Sequence, residues 1–167
     1  MTKSSLLFWQ KKGVAGVGDM ALLEQPLTAF FASRLCSGRA IRVAMDWAIE
    51  QARSKNPLIG GFHSPLEQSV LEVVLAAHAP VVIVVARQLH AASLPAACRM
   101  AQGNASRYSH RGKCGRYAQR LTAEQAIRRN HWIAQRAANI VVAEVSPEGN
   151  LATCVAQWVS EGRMINK

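Results

Sequence analysis

Residues 57–67, Pro-Leu-Ile-Gly-Gly-Phe-His-Ser-Pro-Leu-Glu, join a short apolar run, a double glycine and a helix start, and that order suits an anion. Gly60 and Gly61 let the backbone approach a ligand closely. Ser64 is a favoured N-cap, Pro65 suits the first helical position, and Glu67 three residues on completes a capping box. A helix begun there aims N–H groups and the positive end of its dipole at the turn, where a phosphate would sit. The same string also serves as a plain strand-to-helix connector. His63, inside the turn, could bond a phosphate or carry a proton, its ordinary pKa being about 6.5, and could equally bond backbone.

A second set of candidates lies on a later helix. Arg129 and Asn130 offer a guanidinium fork and an amide on a segment whose other face is apolar. Arg129 either reaches a ligand at the strand ends or pairs with Glu144 or Glu67 to support the loop. Glu144, closing a strand, is a general base, a ribose-hydroxyl acceptor or an arginine partner. The chain has no P-loop, no Gly-x-Ser-x-Gly elbow and no HExxH string, so a non-enzymatic protein without a cofactor is expected. Cys36, Cys98, Cys114 and Cys154 form no CxxC pair, and Cys98, His110 and Cys114 lack a fourth partner, so reduced thiols and no metal are expected.

Charge points to a polyanion. Twenty Lys and Arg face ten Asp and Glu, a formal net charge of +10. Over residues 99–136 stand Arg99, Arg107, Arg111, Lys113, Arg116, Arg120, Arg128, Arg129 and Arg136, with Glu124 as the sole acid. Tyr108, Tyr117 and Trp132 are interleaved and could stack on bases. No apolar run is long enough for a membrane span, and the N-terminal residues lack a secretory leader, so a cytoplasmic protein is expected.

The elements that must hold these residues follow from periodicity. Residues 27–33 read as a buried strand. Ile41, Ala44, Met45, Ala48, Ile49 and Ala52 recur at helical spacing, and Asn56-Pro57 stops that helix. Leu58-Ile59-Gly60 gives a second strand, residues 65–77 a second helix, and Val81-Val82-Ile83-Val84-Val85-Ala86 a strand covered on both faces. Residues 93–102 suit a short helix and 103–115 a loop with one edge strand. Thr122 caps a helix to about residue 138, residues 140–145 make a strand, Asn150 caps a helix over 151–162, and a short strand follows near Met164 and Ile165. The alternation predicts an α/β fold, a three-layer sandwich with a mostly parallel central sheet, in one domain over 26–167 after an irregular lead-in at 1–25. The glycines Gly13, Gly16 and Gly18 follow no obvious strand and carry no dinucleotide fingerprint.

Several of these segments resemble the DprA/Smf family of DNA-processing proteins. Gly60-Gly61-Phe62-His63-Ser64-Pro65 is similar to that family's strand-to-helix loop, and Ala32-Ser33-Arg34 to its Gly-Ser-Arg. Arg128-Arg129-Asn130-His131 looks like its Arg-Asn-Arg helix, residues 140–144 like its Val-Val-Glu-Ala strand, and Gly149-Asn150-Leu151-Ala152-Thr153 like its Gly-Ser-Leu-x-Thr turn. His131 stands in place of the second arginine and Asn150 in place of the serine. The resemblance implies a Rossmann-like fold related to the lonely-guy nucleotide-binding group, single-stranded DNA held in a basic cleft at the strand ends, self-association as a dimer, and a recombinase partner. By position the binding residues become Ser33, Arg34, Gly60, Gly61, His63, Ser64, Arg129, Asn130, Gly149, Asn150 and Thr153. A nucleotide-binding sensor or nucleotide-processing enzyme, taking one phosphorylated small molecule, is the alternative from the wider group.

Overall fold

The computed structural model describes residues 8–11, 14–17, 20–85, 105–110 and 122–166. They form β1 (Phe8–Lys11), β2 (Val14–Val17), a 3-10 turn (Met20–Glu24), β3 (Leu27–Phe31), α1 (Gly38–Arg53), β4 (Leu58–Gly60) and α2 (Pro65–Ala76). There follow β5 (Val81–Val85), β6 (Ala105–His110), α3 (Ala123–Arg136), β7 (Ala137–Val142), α4 (Asn150–Ser160) and β8 (Ile165–Asn166).

One sheet runs in the order β1-β2-β6-β5-β4-β3-β7-β8. From β6 to β8 every neighbouring pair is parallel, whereas β1, β2 and β6 pair antiparallel. Alternation along each strand sends its side chains to opposite faces. Phe30, Leu58, Val81 and Ile83 meet α1 and α2 on one side, while Ala29, Phe31, Ile59, Val82, Ile140 and Val142 meet α3 and α4 on the other. The chain is thus an α/β, Rossmann-like sandwich of three layers.

Local chemistry explains the helix starts. The Ser37 side chain accepts from the Ala40 amide, and both Ser64 with Glu67 and Thr122 with Gln125 make reciprocal capping boxes. α1 buries Ala44, Ala48 and Ala52, a stripe narrower than expected, and leaves Ile41 and Ile49 exposed. Alanine at that spacing lets the helix axis lie close to the sheet, which lifts the flanking isoleucines out of it.

Three segments depart from expectation. Within the lead-in expected to be irregular, Phe8–Lys11 and Val14–Val17 are antiparallel strands, and Val14–Val17 finds a second partner in Arg107–His110. For the same reason β6 is an interior strand between β5 and β2 rather than an edge. α3 passes into β7 at Ala137 without a loop, so the strand begins earlier than Ile140. Arg163 makes that junction possible, donating from Nη1 to the Ala134 carbonyl and from Nη2 to the Ala137 carbonyl, each at 2.9 Å.

Candidate functional site at the carboxyl ends of the strands

After β3 the chain winds one way through β4, β5 and β6, then returns to lay β7 on the other side of β3. Loops leaving β3 and β7 therefore diverge to opposite faces, the switch point beside which ligands of such sheets gather. Here the two loops are laced together. The Ser33 amide donates to the Glu144 carbonyl at 3.0 Å, and the Ser33 hydroxyl accepts from the Ser146 amide at 2.7 Å. The Glu144 carboxylate accepts from the Ser37 amide at the start of α1. Among the described residues Glu144 forms no ion pair, so of its alternatives the arginine partnership is absent.

The glycine turn is built around two close approaches. Phe62 adopts φ 48°, a left-handed conformation that is strained for a side chain of this size, and its buried ring lies over Gly60, where an added Cβ would be 3.1 Å from the ring. Gly61 carries the Arg129 guanidinium on its Cα, with 2.6 Å between Arg129 Cζ and the place a Cβ would take. Only glycine fits beneath that side chain.

Arg129 and Asn130 are each 7% exposed. Arg129 donates from Nε and Nη2 to Asn130 Oδ1 at 3.3 and 3.2 Å, and the Asn130 amide pulls against the burial of the Cys154 thiol. The counter-charge is Glu67, 6% exposed, whose carboxylate accepts from the amides of Ala32, His63 and Ser64 at 3.3, 3.1 and 3.3 Å. Burial raises the Glu67 pKa, against the pull of Arg129 and those three amides, and burial lowers that of Arg129. Burial likewise raises the thiols of Cys154 and of Cys36, the latter with help from Glu144 and Glu67.

This geometry redistributes the anion-binding capacity of the rim. At α2 the His63 and Ser64 amides are taken by Glu67, and at α1 the Ser37 amide is taken by Glu144. An internal carboxylate thus stands at each of these helix starts. α4 differs: its N-cap is Gly149, with no side-chain cap, and Asn150 is the first helical residue rather than the cap. The Gly149 amide donates to the Ser146 carbonyl at 3.0 Å, which ties this start to the residue bonded by Ser33.

The expected site residues accordingly divide. Ser33, Gly60, Gly61, Ser64, Arg129 and Asn130 belong to one buried or half-buried network centred on Glu67 and the loop lacing. Arg34, His63, Asn150 and Thr153 are exposed at the rim, and Gly149 is half-buried between the two sets. Trp132 is a core residue with Arg136 4.4 Å over its ring, so it stacks on an arginine instead of a base. His131 accepts from the Trp158 indole N–H at Nδ1, 3.0 Å, which gives the departure from the family's arginine a structural partner. The basic stretch over 99–120, with Cys98, Cys114 and Tyr117, and the helix expected at 93–102 lie outside the described residues, apart from the backbone of β6. Among the described residues no three His, Cys, Asp or Glu side chains cluster as metal ligands, and no helix is long and apolar enough to cross a membrane. Sequence reasoning missed Ser146, Cys154 and the bond from Glu144 to Ser37, for which no local signal exists. It missed the Phe62 backbone because an aromatic residue argues against φ above zero.

No protein-family model and no curated protein matches the sequence. Solved structures do. DNA processing protein A (DprA) from Streptococcus pneumoniae superposes with a TM-score of 0.72 at 18% identity, over 91% of this chain and 53% of that one. The fold is that of the DprA Rossmann-like domain. DprA from Helicobacter pylori, a structure described for its single-stranded DNA binding mode, gives a TM-score of 0.74 at 13% identity, over 91% of this chain and 69% of that one. The molybdenum cofactor carrier protein of Chlamydomonas reinhardtii is more distant, with a TM-score of 0.56 at 11% identity over 84% of this chain and 74% of that one. The present chain therefore spans about half of the pneumococcal DprA.

Proposed function

We propose that this chain is a DprA-like module that binds single-stranded nucleic acid across the carboxyl ends of β3, β4 and β7. One observation carries the reading: in a fold shared with a protein described as binding single-stranded DNA, the one start among α1, α2 and α4 without a side-chain cap, that of α4, lies beside the exposed Arg34 loop. A helix start without a side-chain cap, a dipole end and a guanidinium together suit a phosphodiester backbone. The formal charge of +10 adds the long-range attraction such a ligand needs. In this assignment Arg34, Asn150 and Thr153 touch phosphates. Arg129 and Asn130 are positioning residues, holding the glycine turn and α4 in register from beneath.

The test is fluorescence anisotropy of a labelled oligonucleotide titrated at several salt concentrations. Affinity should fall linearly on a log–log plot, each phosphate contact contributing a slope of about 0.7 for a single strand. Arg34→Ala should lower the slope by about that amount while leaving the melting temperature unchanged. Absence of binding at low salt, or an affinity indifferent to salt, overturns the proposal. A rise in melting temperature with one mononucleotide and no oligonucleotide binding would favour the small-ligand alternative instead.

A further inference from the structure

A second feature sits around the corner from the strand ends, on the face of the sheet that carries α1. Between α1 and β7 lies a groove of about 380 Å³, floored by Phe30, Val141 and Ala143 and walled by Val43 and Trp47. That volume is in the range of small-molecule sites. Trp47 is half-buried and stacks on the fully buried Phe30, ring centroids 5.3 Å apart and planes inclined by 20°. Val43 on the lip is 57% exposed. Among the described residues no helix covers β7 on this face, since α3 and α4 pack on the opposite one.

The groove has one polar end. Glu144 and Ser37 close it there, with the exposed Arg39 at the rim. One carboxylate oxygen of Glu144 accepts the Ser37 amide, and the other meets no donor among the described residues. A half-buried acceptor at the end of an apolar groove with an aromatic wall suits a ligand with an apolar ring and hydrogen-bond donors on its edge. Continuity supplies the source of that ligand. Glu144 and Ser37 also belong to the strand-end rim, where the Glu144 carbonyl is bonded by Ser33. A phosphodiester chain crossing that rim passes the mouth of the groove.

We propose that the α1–β7 groove receives one nucleobase of the bound strand, and that Glu144 selects bases carrying an exocyclic amino group. This inference rests on the strand-binding reading above. Cytosine presents its 4-amino group and guanine its N1–H with the 2-amino group to a carboxylate, whereas the lone N–H of thymine or uracil is flanked by two carbonyl oxygens that the carboxylate repels. Trp47 and Val43 contact the faces of the base, which any base offers. Arg39 meets the phosphate on its 5′ or 3′ side. The groove therefore gives a base preference to a rim that reads only backbone.

The test compares oligo(dC) and oligo(dT) of equal length by anisotropy, with the intact protein and with two variants. Unmodified protein should bind oligo(dC) about tenfold more tightly, the scale of one good contact to a base edge. Val43→Trp, which fills the slot from its exposed lip, and Trp47→Ala, which removes its wall, should each bring the two affinities within about twofold, chiefly by weakening oligo(dC), whose amino group no longer reaches Glu144. Val43 lies outside the core, so this variant keeps the test valid if Trp47→Ala unfolds. Equal binding of the two oligonucleotides by the unmodified protein, or a preference that survives Val43→Trp, overturns the groove and leaves strand binding standing. Failure to bind either oligonucleotide removes the strand-binding reading and this inference with it.

Discussion

Gly61→Ala isolates the contact on which the glycine turn is built. A Cβ at position 61 would lie 2.6 Å from Arg129 Cζ and Nε and 3.0 Å from Nη1. Non-bonded carbons rest at about 3.5–4.0 Å, so the methyl would overlap the guanidinium by roughly 1 Å. An arginine on the surface would swing away. This one is 7% exposed, bonded to Asn130 through two nitrogens and attracted to the buried Glu67. If the backbone shifts instead, the overpacking costs about 1–3 kcal/mol. If the guanidinium is expelled, it loses both bonds to Asn130 and its attraction to the buried Glu67, a costlier outcome. The cheaper route sets the expectation of about 1–3 kcal/mol, read by urea unfolding or as a fall in Tm of roughly 2–4 °C per kcal/mol for a domain of this size. The reasoning is specific to one pair, so a double-mutant cycle decides it. In an Arg129→Met background the clash is gone and Gly61→Ala should cost less than about 0.5 kcal/mol. Equal costs in the two backgrounds would refute the contact. Gly38, where an added Cβ meets nothing within 4 Å, is the control, and Gly38→Ala should be neutral or stabilise α1 by up to about 1 kcal/mol.

Arg163→Met should destabilise by about 1–3 kcal/mol, because the guanidinium serves the Ala134 and Ala137 carbonyls at once and a thioether serves neither. Arg163→Lys should recover less than half of that loss in a thermal melt, since one ammonium cannot reproduce the fork, and full recovery would contradict the capping role. The Glu67 carboxyl gives a pH signature. Burial raises its pKa, so between the ordinary carboxylate value and the raised one the folded protein holds a proton that the unfolded chain has released. Its contribution to stability is complete below that window and is lost as pH rises through it. The urea midpoint should therefore fall more steeply with pH in the unmodified protein than in Glu67→Gln, and parallel profiles would show that the group does not titrate differently in the two states.

The rim has an electrostatic logic that bears on any ligand. Phosphate at the start of α1 or α2 would have to displace a carboxylate already bonded to the amides there. Those starts are instead used to bind the molecule to itself, Glu144 joining β7 to α1 and Glu67 joining α2 to the loop after β3 through the Ala32 amide. The loops at the switch point are rigidified by their own acids, and the α4 start is left for solvent or ligand.

What the sequence determined by itself is what depends on near neighbours. The capping boxes at Ser64 and Thr122 were legible because donor and acceptor lie three residues apart, and the buried strands because β-branched runs such as residues 81–85 suit little else. The alternation of strand and helix fixed the parallel sandwich, and the position of the glycine turn at a strand end followed from it. Periodicity failed where a partner is remote: β1 and β2 look irregular until β2 pairs with β6, whose residues lie some ninety positions later, and β1 pairs with β2. The tertiary structure alone decided how the site is wired. Glu144 meets Ser37 across 107 residues and Ser146 meets Ser33 across 113, separations over which no local pattern can act. Arg129 and Asn130 look like ligand-binding groups in the sequence, because arginine and asparagine are usually exposed. Packing of α3 beneath the sheet end turns them inward against Gly61 and Cys154, and the groove between α1 and β7 exists only because two segments a hundred residues apart lie side by side.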